Sequence, residues 1–232
     1  MKKLLVILLK LIAVLFVVGA LAVFAIIIKY RLELPNIQSM VEDYKPQMAT
    51  TIYDKNNNVV DVLEAESRDA VKLEDVSPYV KEAFLAIEDK KFYSHHGLHF
   101  KGIIRAALTN FLKGKATQGG SSITQQLAKN AFLTPERTFS RKVKEAILTY
   151  QIERTYTKDE ILERYLNEIY FGSGSYGIKN AADQYFRKDP KDLNIAEAAL
   201  LAGIPNRPTK YDPNRSLDNA LHRQQIILKE MF

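Results

Sequence analysis

The sequence predicts a mainly α protein carried on an apolar N-terminal helix, with one small β-hairpin. Three observations lead there. An apolar run opens the chain, one short stretch favours strands, and almost everything after residue 77 repeats apolar residues at helical spacing. Of the 232 residues, about 200 follow the apolar run, enough for one sizeable core or a core with a small lobe. There is no internal repeat and no low-complexity tract.

Lys2 and Lys3 precede an apolar run over residues 4–28 that only Lys10 interrupts. A membrane-spanning helix needs about 20 mostly apolar residues, and the run supplies them. Ala20-Leu21-Ala22 resembles a signal-peptide cleavage site, but it lies inside the run, so residues 1–31 read as an uncleaved anchor. The leading lysines predict a cytoplasmic N-terminus, with Lys29 and Arg31 weakening the asymmetry. The body then lies outside the cytoplasmic membrane. The absence of cysteine excludes disulfides and Cys-ligated metals.

Residues 32–48, with Pro35 and Pro46, read as a linker, and residues 49–232 as one domain. Residues 50–63 read as the hairpin, since Thr51-Ile52-Tyr53 and Val59-Val60-Asp61-Val62 flank an Asn-rich turn. Ser77-Pro78 starts a helix with Val80, Phe84 and Ile87 on one face. Ile103, Ile104, Ala107, Leu108 and Phe111 mark a second. A third carries Gln125, Gln126 and Lys129. Ser140 is placed to cap a longer helix to about Tyr156, with Val143, Ile147 and Tyr150 inward. Thr157-Lys158-Asp159-Glu160 is a capping box that opens a helix ending at Gly172. A small-residue helix over residues 195–202 and a last one over 217–231 follow. The chain stops inside that last pattern, which reads as a piece of a longer protein.

The net charge of +6 is unevenly spread. Residues 1–31 hold five Lys/Arg and no acid, so the rest is nearly neutral. Yet residues 101–155 hold ten Lys/Arg against three Glu, a concentration that points to a site for an anionic ligand. Nucleic acid is not the expected partner, because no groove-binding motif appears.

Three segments carry chemistry. Glu88-Asp89 ends a helix and leads through Phe92, His95 and His96 into Gly97. Carboxylates there oppose the helix dipole, a placement that costs stability and so points to use. His95 and His96 read as packing or hydrogen-bonding residues rather than as metal ligands. The run Gly119-Gly120-Ser121-Ser122-Ile123-Thr124-Gln125-Gln126-Leu127-Ala128-Lys129 offers many donors and little apolar surface, a poor recipe for a core. Arg141-Lys142-Val143-Lys144-Glu145 places Arg141 and Glu145 four apart on a helix.

In this order, and with Ile161-Leu162-Glu163-Arg164-Tyr165-Leu166-Asn167, these segments resemble the peptidoglycan glycosyltransferases: the glycosyltransferase domain of class A penicillin-binding proteins and their monofunctional relatives. Residues 199–213 lean toward the class A form, with a transpeptidase domain expected beyond Phe232. Ser122 stands where the family usually has Thr, and His99 where it often has Asp. The resemblance implies a lysozyme-like two-lobed fold. It also implies a single-pass anchor in the bacterial cytoplasmic membrane and lipid II as substrate. The activity would be inverting β-1,4 polymerisation with release of polyprenyl pyrophosphate.

It further implies roles. Glu88 is the general base and Glu145 supports the donor side, holding basic groups or a metal. Lys129, Arg137, Arg141, Lys144 and Arg105 bind the pyrophosphate. Ser121, Thr124, Gln125 and Gln126 hold sugar or phosphate oxygens, and Asp89, Phe92, His95, Gly97 and Asn167 shape the cleft. A divalent cation, Mg2+ or Mn2+, is expected and no organic cofactor. The growing lipid-linked glycan and other cell-wall synthesis proteins are expected partners. Phe111-Leu112-Lys113-Gly114-Lys115 is the expected segment at the membrane surface. A carboxylate beside a cationic block suits departure of a pyrophosphate better than hydrolysis, which needs an acid for a poor leaving group. A lysozyme-like hydrolase and a non-catalytic scaffold are the competing readings.

Overall fold

The computed structural model describes residues 2–34, 50–53, 59–63, 70–98, 120–134, 136 and 138–232. Helix α1 runs Lys2–Glu33 without a break, long and apolar enough to cross a membrane. Strands β1 (Thr50–Tyr53) and β2 (Val59–Leu63) pair antiparallel, with Thr50 opposite Leu63 and an irregularity after Ile52. The expected hairpin turn, the helix with Ile103 and the segment 111–115 lie outside the described residues.

The body is built from α2 (Pro78–Glu88), α3 (Ile123–Phe132), α4 (Phe139–Thr155) and α5 (Lys158–Glu168), then α6 (Ile178–Phe186), α7 (Ile195–Gly203), the single turn α8 (Pro208–Tyr211) and α9 (Leu217–Met231). Capping residues set most of the starts. Ser122, Thr157 and Asn194 each cap a helix whose third residue, Gln125, Glu160 or Glu197, bonds back to the cap. These reciprocal bonds satisfy backbone donors that a helix start otherwise leaves bare. Ser77 departs from this pattern: its hydroxyl donates to the Leu193 carbonyl at 2.8 Å, tying α2 to the approach of α7.

The core gathers where α2, α5, α7 and α9 meet. Phe84 is fully buried and stands edge-on to Tyr165 and Phe171, each at 6.0 Å between ring centres. Gly203 lets α9 come close, since a methyl group there would sit 2.8 Å from Arg223 Cγ. Helix α6, opened by Gly177 and closed by Arg187 in the left-handed region, has no counterpart in the helical pattern read from sequence.

Helix α4 differs from its sequence reading in start and facing. Thr138, not Ser140, caps it, accepting from the Arg141 amide at 3.1 Å. The stripe Glu145, Leu148, Thr149 and Ile152 is buried. Tyr150 is 57 % exposed, and with Val143 and Ile147 it turns toward α1 instead of the core. The sequence offers two apolar stripes on this helix, and the one containing a glutamate faces inward.

Candidate active site

Helix α3 organises the site. Ser122 is buried, and its hydroxyl donates to the Gly97 carbonyl. Asp89, the residue after α2, accepts from the Ile123 amide at 3.4 Å and from His95 Nε2 at 2.8 Å. His95 Nδ1 accepts from the Gly97 amide at 3.1 Å, so the ring proton sits on Nε2. Asp89, His95 and Gly97 thus lock the end of α2 to the start of α3. Phe92 is buried beneath them, with the Lys158 ammonium 4.4 Å from its ring centre. These residues form the junction from which α3 starts. Asn167 acts further off: its side chain bonds both the amide and the carbonyl of Val71, at 3.0 and 2.8 Å.

From that anchored start, adjacent glutamines on α3 reach two different glutamates. The Gln126 amide donates to Glu88 Oε2 at 2.6 Å. The Gln125 amide donates to Glu145 Oε1 at 3.3 Å. Lys129, one turn on, feels the charges of both carboxylates. Burial is the largest influence on Glu88 and on Lys129. It pushes the Glu88 carboxyl up, against the Gln126 hydrogen bond and the charges of Arg223 and Lys129 that pull it down. It lowers Lys129, with Glu145 acting against it and Arg141 and Lys142 reinforcing it.

Glu145 is 2 % exposed and held by cations. Lys142 pairs with it directly, Arg141 Nη1 lies 4.0 Å away, and Lys142 also donates to Ser121 Oγ at 3.3 Å. The sequence reading passed over Lys142 because it weighed only the four-residue spacing; the three-residue spacing to Glu145 was the available signal. Lys144, in contrast, leaves this cluster. It pairs with Glu33 at 3.1 Å and lies over the Tyr30 ring, so it ties α4 to α1. Arg105 and Arg137 lie outside the described residues.

The donor-rich run is not the solvent-facing grip that its composition suggests. Ile123, Thr124, Gln125, Leu127 and Ala128 are all buried. Thr124 donates its hydroxyl to Glu153, which also takes Lys158 at 2.8 Å. Gln125 is occupied by the cap and by Glu145. Ser121, Gln126 and Lys129 keep partial exposure. Arg223 on α9 was invisible to motif reading, because nothing short-range links it to Glu88.

The described donor set around Glu145 does not fit a resident divalent cation. Glu145 faces two cations and a neutral amide rather than other carboxylates. Among the described residues, no three His, Asp or Glu side chains gather in a way that would hold a metal.

Residues 56–232 match the family model for transglycosylases. The chain is 44 % identical over its full length to penicillin-binding protein 1A of Aquifex aeolicus, spanning 31 % of that protein. It is 46 % identical to penicillin-binding protein 1F of Bacillus subtilis over 79 % of the chain and 26 % of that protein. A crystal structure of penicillin-binding protein 1A from Haemophilus influenzae aligns with 82 % of the chain and 19 % of its own, at 24 % identity and a TM-score of 0.47. The chain therefore spans about a third or less of the curated relatives it matches. With its family model covering most of its length and a relative this similar along all of it, the chain belongs to the transglycosylase family.

Proposed function

We propose that the chain is a peptidoglycan glycosyltransferase of bacterial cell-wall synthesis, polymerising lipid II into β-1,4-linked glycan. The supporting observation is the row along α3, in which Gln126 holds Glu88, Gln125 holds Glu145, and Lys129 follows one turn on along the same helix. Glu88 takes the proton of the acceptor's 4-hydroxyl as its oxygen attacks the anomeric carbon of the lipid-linked donor. The bond from that carbon to the pyrophosphate breaks with its electron pair, and the configuration inverts. Lys129, Arg141 and Lys142 carry the charge that develops on the leaving pyrophosphate, with Glu145 keeping Arg141 and Lys142 in place. Ser121, held by Lys142, offers a hydroxyl to the donor.

The charge neutralisation rests on side chains, and no step is assigned to a metal. On this reading α1 spans the cytoplasmic membrane once and holds the body on the outer face, where lipid II and the growing glycan are met. Other cell-wall synthesis proteins are the natural partners, and the related proteins' names point to a penicillin-binding protein as the whole. The test is incubation of the purified chain with labelled lipid II, followed by separation of glycan strands by length. Strands longer than the starting disaccharide support the reading. Release of fragments from finished cell wall, without growth from lipid II, overturns it in favour of a hydrolase.

A further inference from the structure

Tyr165 is fully buried on α5, yet it carries a hydroxyl that a core position does not need. Its ring stands edge-on to Phe84, 6.0 Å away, a contact that phenylalanine would make equally well. A buried hydroxyl costs stability unless it finds a partner. Helix α5 packs against α3, and there the Tyr165 hydroxyl donates to the side-chain carbonyl of Gln126 at 3.5 Å, the long end of hydrogen bonding. The other end of the same amide donates to Glu88 Oε2 at 2.6 Å. A phenol, an amide and a carboxylate therefore stand in line, from the core to the candidate base. Burial, and after it the charge of Glu88, raises the Tyr165 phenol well above its ordinary value, so it stays protonated and able to donate.

Gln126 is the joint in this line, because its amide has two unlike ends, an oxygen that accepts and a nitrogen that donates. With Glu88 ionised, only the nitrogen suits it. Once Glu88 has taken a proton, the choice opens. Turned over, the amide would offer its oxygen to the new O–H, and that bond would hold the proton on Glu88. The Tyr165 hydroxyl opposes the turn, because it donates to the amide oxygen on the far side from Glu88. We propose that Tyr165 is a positioning residue: its hydroxyl keeps the amide nitrogen of Gln126 on Glu88 through the catalytic cycle, so that Glu88 sheds its proton and is ready for the next acceptor. This rests on the reading of Glu88 as general base, and it names the group that stands behind it. Fully buried, Tyr165 acts only through Gln126. The charged groups that act on Glu88 itself are Asp89 beside it, Lys129 on α3 and Arg223 on α9, and a change at Tyr165 alters none of them.

The test is Tyr165→Phe in the full chain, with steady-state kinetics on lipid II from about pH 4 to 8 and thermal melts beside them. The variant keeps the ring and its packing, so Tm should change little. The kcat should fall about tenfold, the worth of one positioned hydrogen bond, with the donor KM unchanged. The acid midpoint should rise by about 0.5–1 pH unit, because an amide free to turn stabilises neutral Glu88. In a Gln126→Leu background, Tyr165→Phe should add nothing to that midpoint, a result that a merely structural role would not produce. Should Tyr165→Phe not fold, 3-fluorotyrosine in place of Tyr165, a stronger donor of nearly the same shape, decides: the midpoint should then fall. A parental kcat and midpoint in Tyr165→Phe overturns the proposal. So does an equal shift in the Gln126→Leu background, or a fluorotyrosine midpoint that does not fall. Those results spare the base reading so long as Glu88→Gln has lost the acid limb. An acid limb that survives in Glu88→Gln defeats the base reading, and with it the role of Tyr165.

Discussion

Glu88 ends α2 with the amide of Gln126 on its carboxylate, whereas Glu145 lies in the first half of α4 with Lys142, Arg141 and Gln125 around it. Both are drawn to α3 by neighbouring glutamines, and their electrostatic surroundings are opposite. The cations that act on Glu88 do so from a distance, and burial outweighs them. Glu145 is matched by cations in contact. A carboxyl of the first kind is suited to accept a proton, because its charged form is held at a cost. A carboxylate of the second kind is suited to hold cations in position.

The largest expected effect follows from that division. Glu88→Gln keeps the shape and the Gln126 contact but cannot take a proton. Glycan synthesis should fall about 10²–10⁴-fold, the usual worth of a general base. KM for the donor should stay near its original value. Glu145→Gln should cost less, about 10²-fold, through loosened Arg141 and Lys142, and should raise the donor KM. Steady-state kinetics on lipid II separate the two. If both variants lose kcat equally with no change in KM, the two glutamates do not divide the work in this way.

Much of this site was legible in the sequence, and the failures have physical causes. Glu88, Gln126, Lys129 and Glu145 were named from motifs, and the structure brings them together along α3. The capping box at Thr157 and the span of α9 also follow from local signals. What failed was facing. Thr124 and Gln125 look like ligand groups by composition, yet their polar atoms satisfy one another's neighbours inside the protein. Lys144 and Lys142 differ by two positions, which on a helix turns one to α1 and the other to Glu145. Helix α6 depends on glycines and a left-handed Arg187 more than on an apolar repeat. Arg223 acts across a tertiary gap that no spacing rule encodes.

A perturbation that moves α3 as a whole should affect both glutamates together. Gly97 provides it. Its φ is +77°, and an added methyl would lie 2.6 Å from Thr149 Cγ2 and 2.8 Å from Glu153 Cγ. Its carbonyl also receives the Ser122 cap. Gly97→Ala should therefore destabilise the fold by about 1–3 kcal/mol. For a body of this size that is a loss of roughly 2–4 °C in Tm per kcal/mol. Activity should fall with both the kcat signature of Glu88 and the KM signature of Glu145. An unchanged Tm would show that the junction between α2 and α3 yields more easily than its packing indicates.

The finest distinction is in pH dependence. Glu88 must be ionised to act as a base, and burial raises its carboxyl above the ordinary 4.5. Activity should therefore rise with pH through a midpoint above 4.5, and Gln126→Leu should move that midpoint higher by removing a hydrogen bond to the charged form. Lys129 is lowered from 10.5, so an alkaline loss should begin earlier than for an ordinary lysine. Stability should respond in the opposite sense to activity. A carboxyl raised in the folded state favours folding below its unfolded value, and that advantage is lost as pH rises through the folded one. At neutral pH, Glu88→Gln removes a partly buried charge and should melt no lower than the parent, while at pH 4 the difference should vanish. Thermal melts across pH 4–8 read this directly, and a Glu88→Gln protein that melts lower at pH 7 than at pH 4, relative to the parent, would mean that its charge stabilises the fold. Glu88 would then resemble Glu145, and the contrast between the two would disappear.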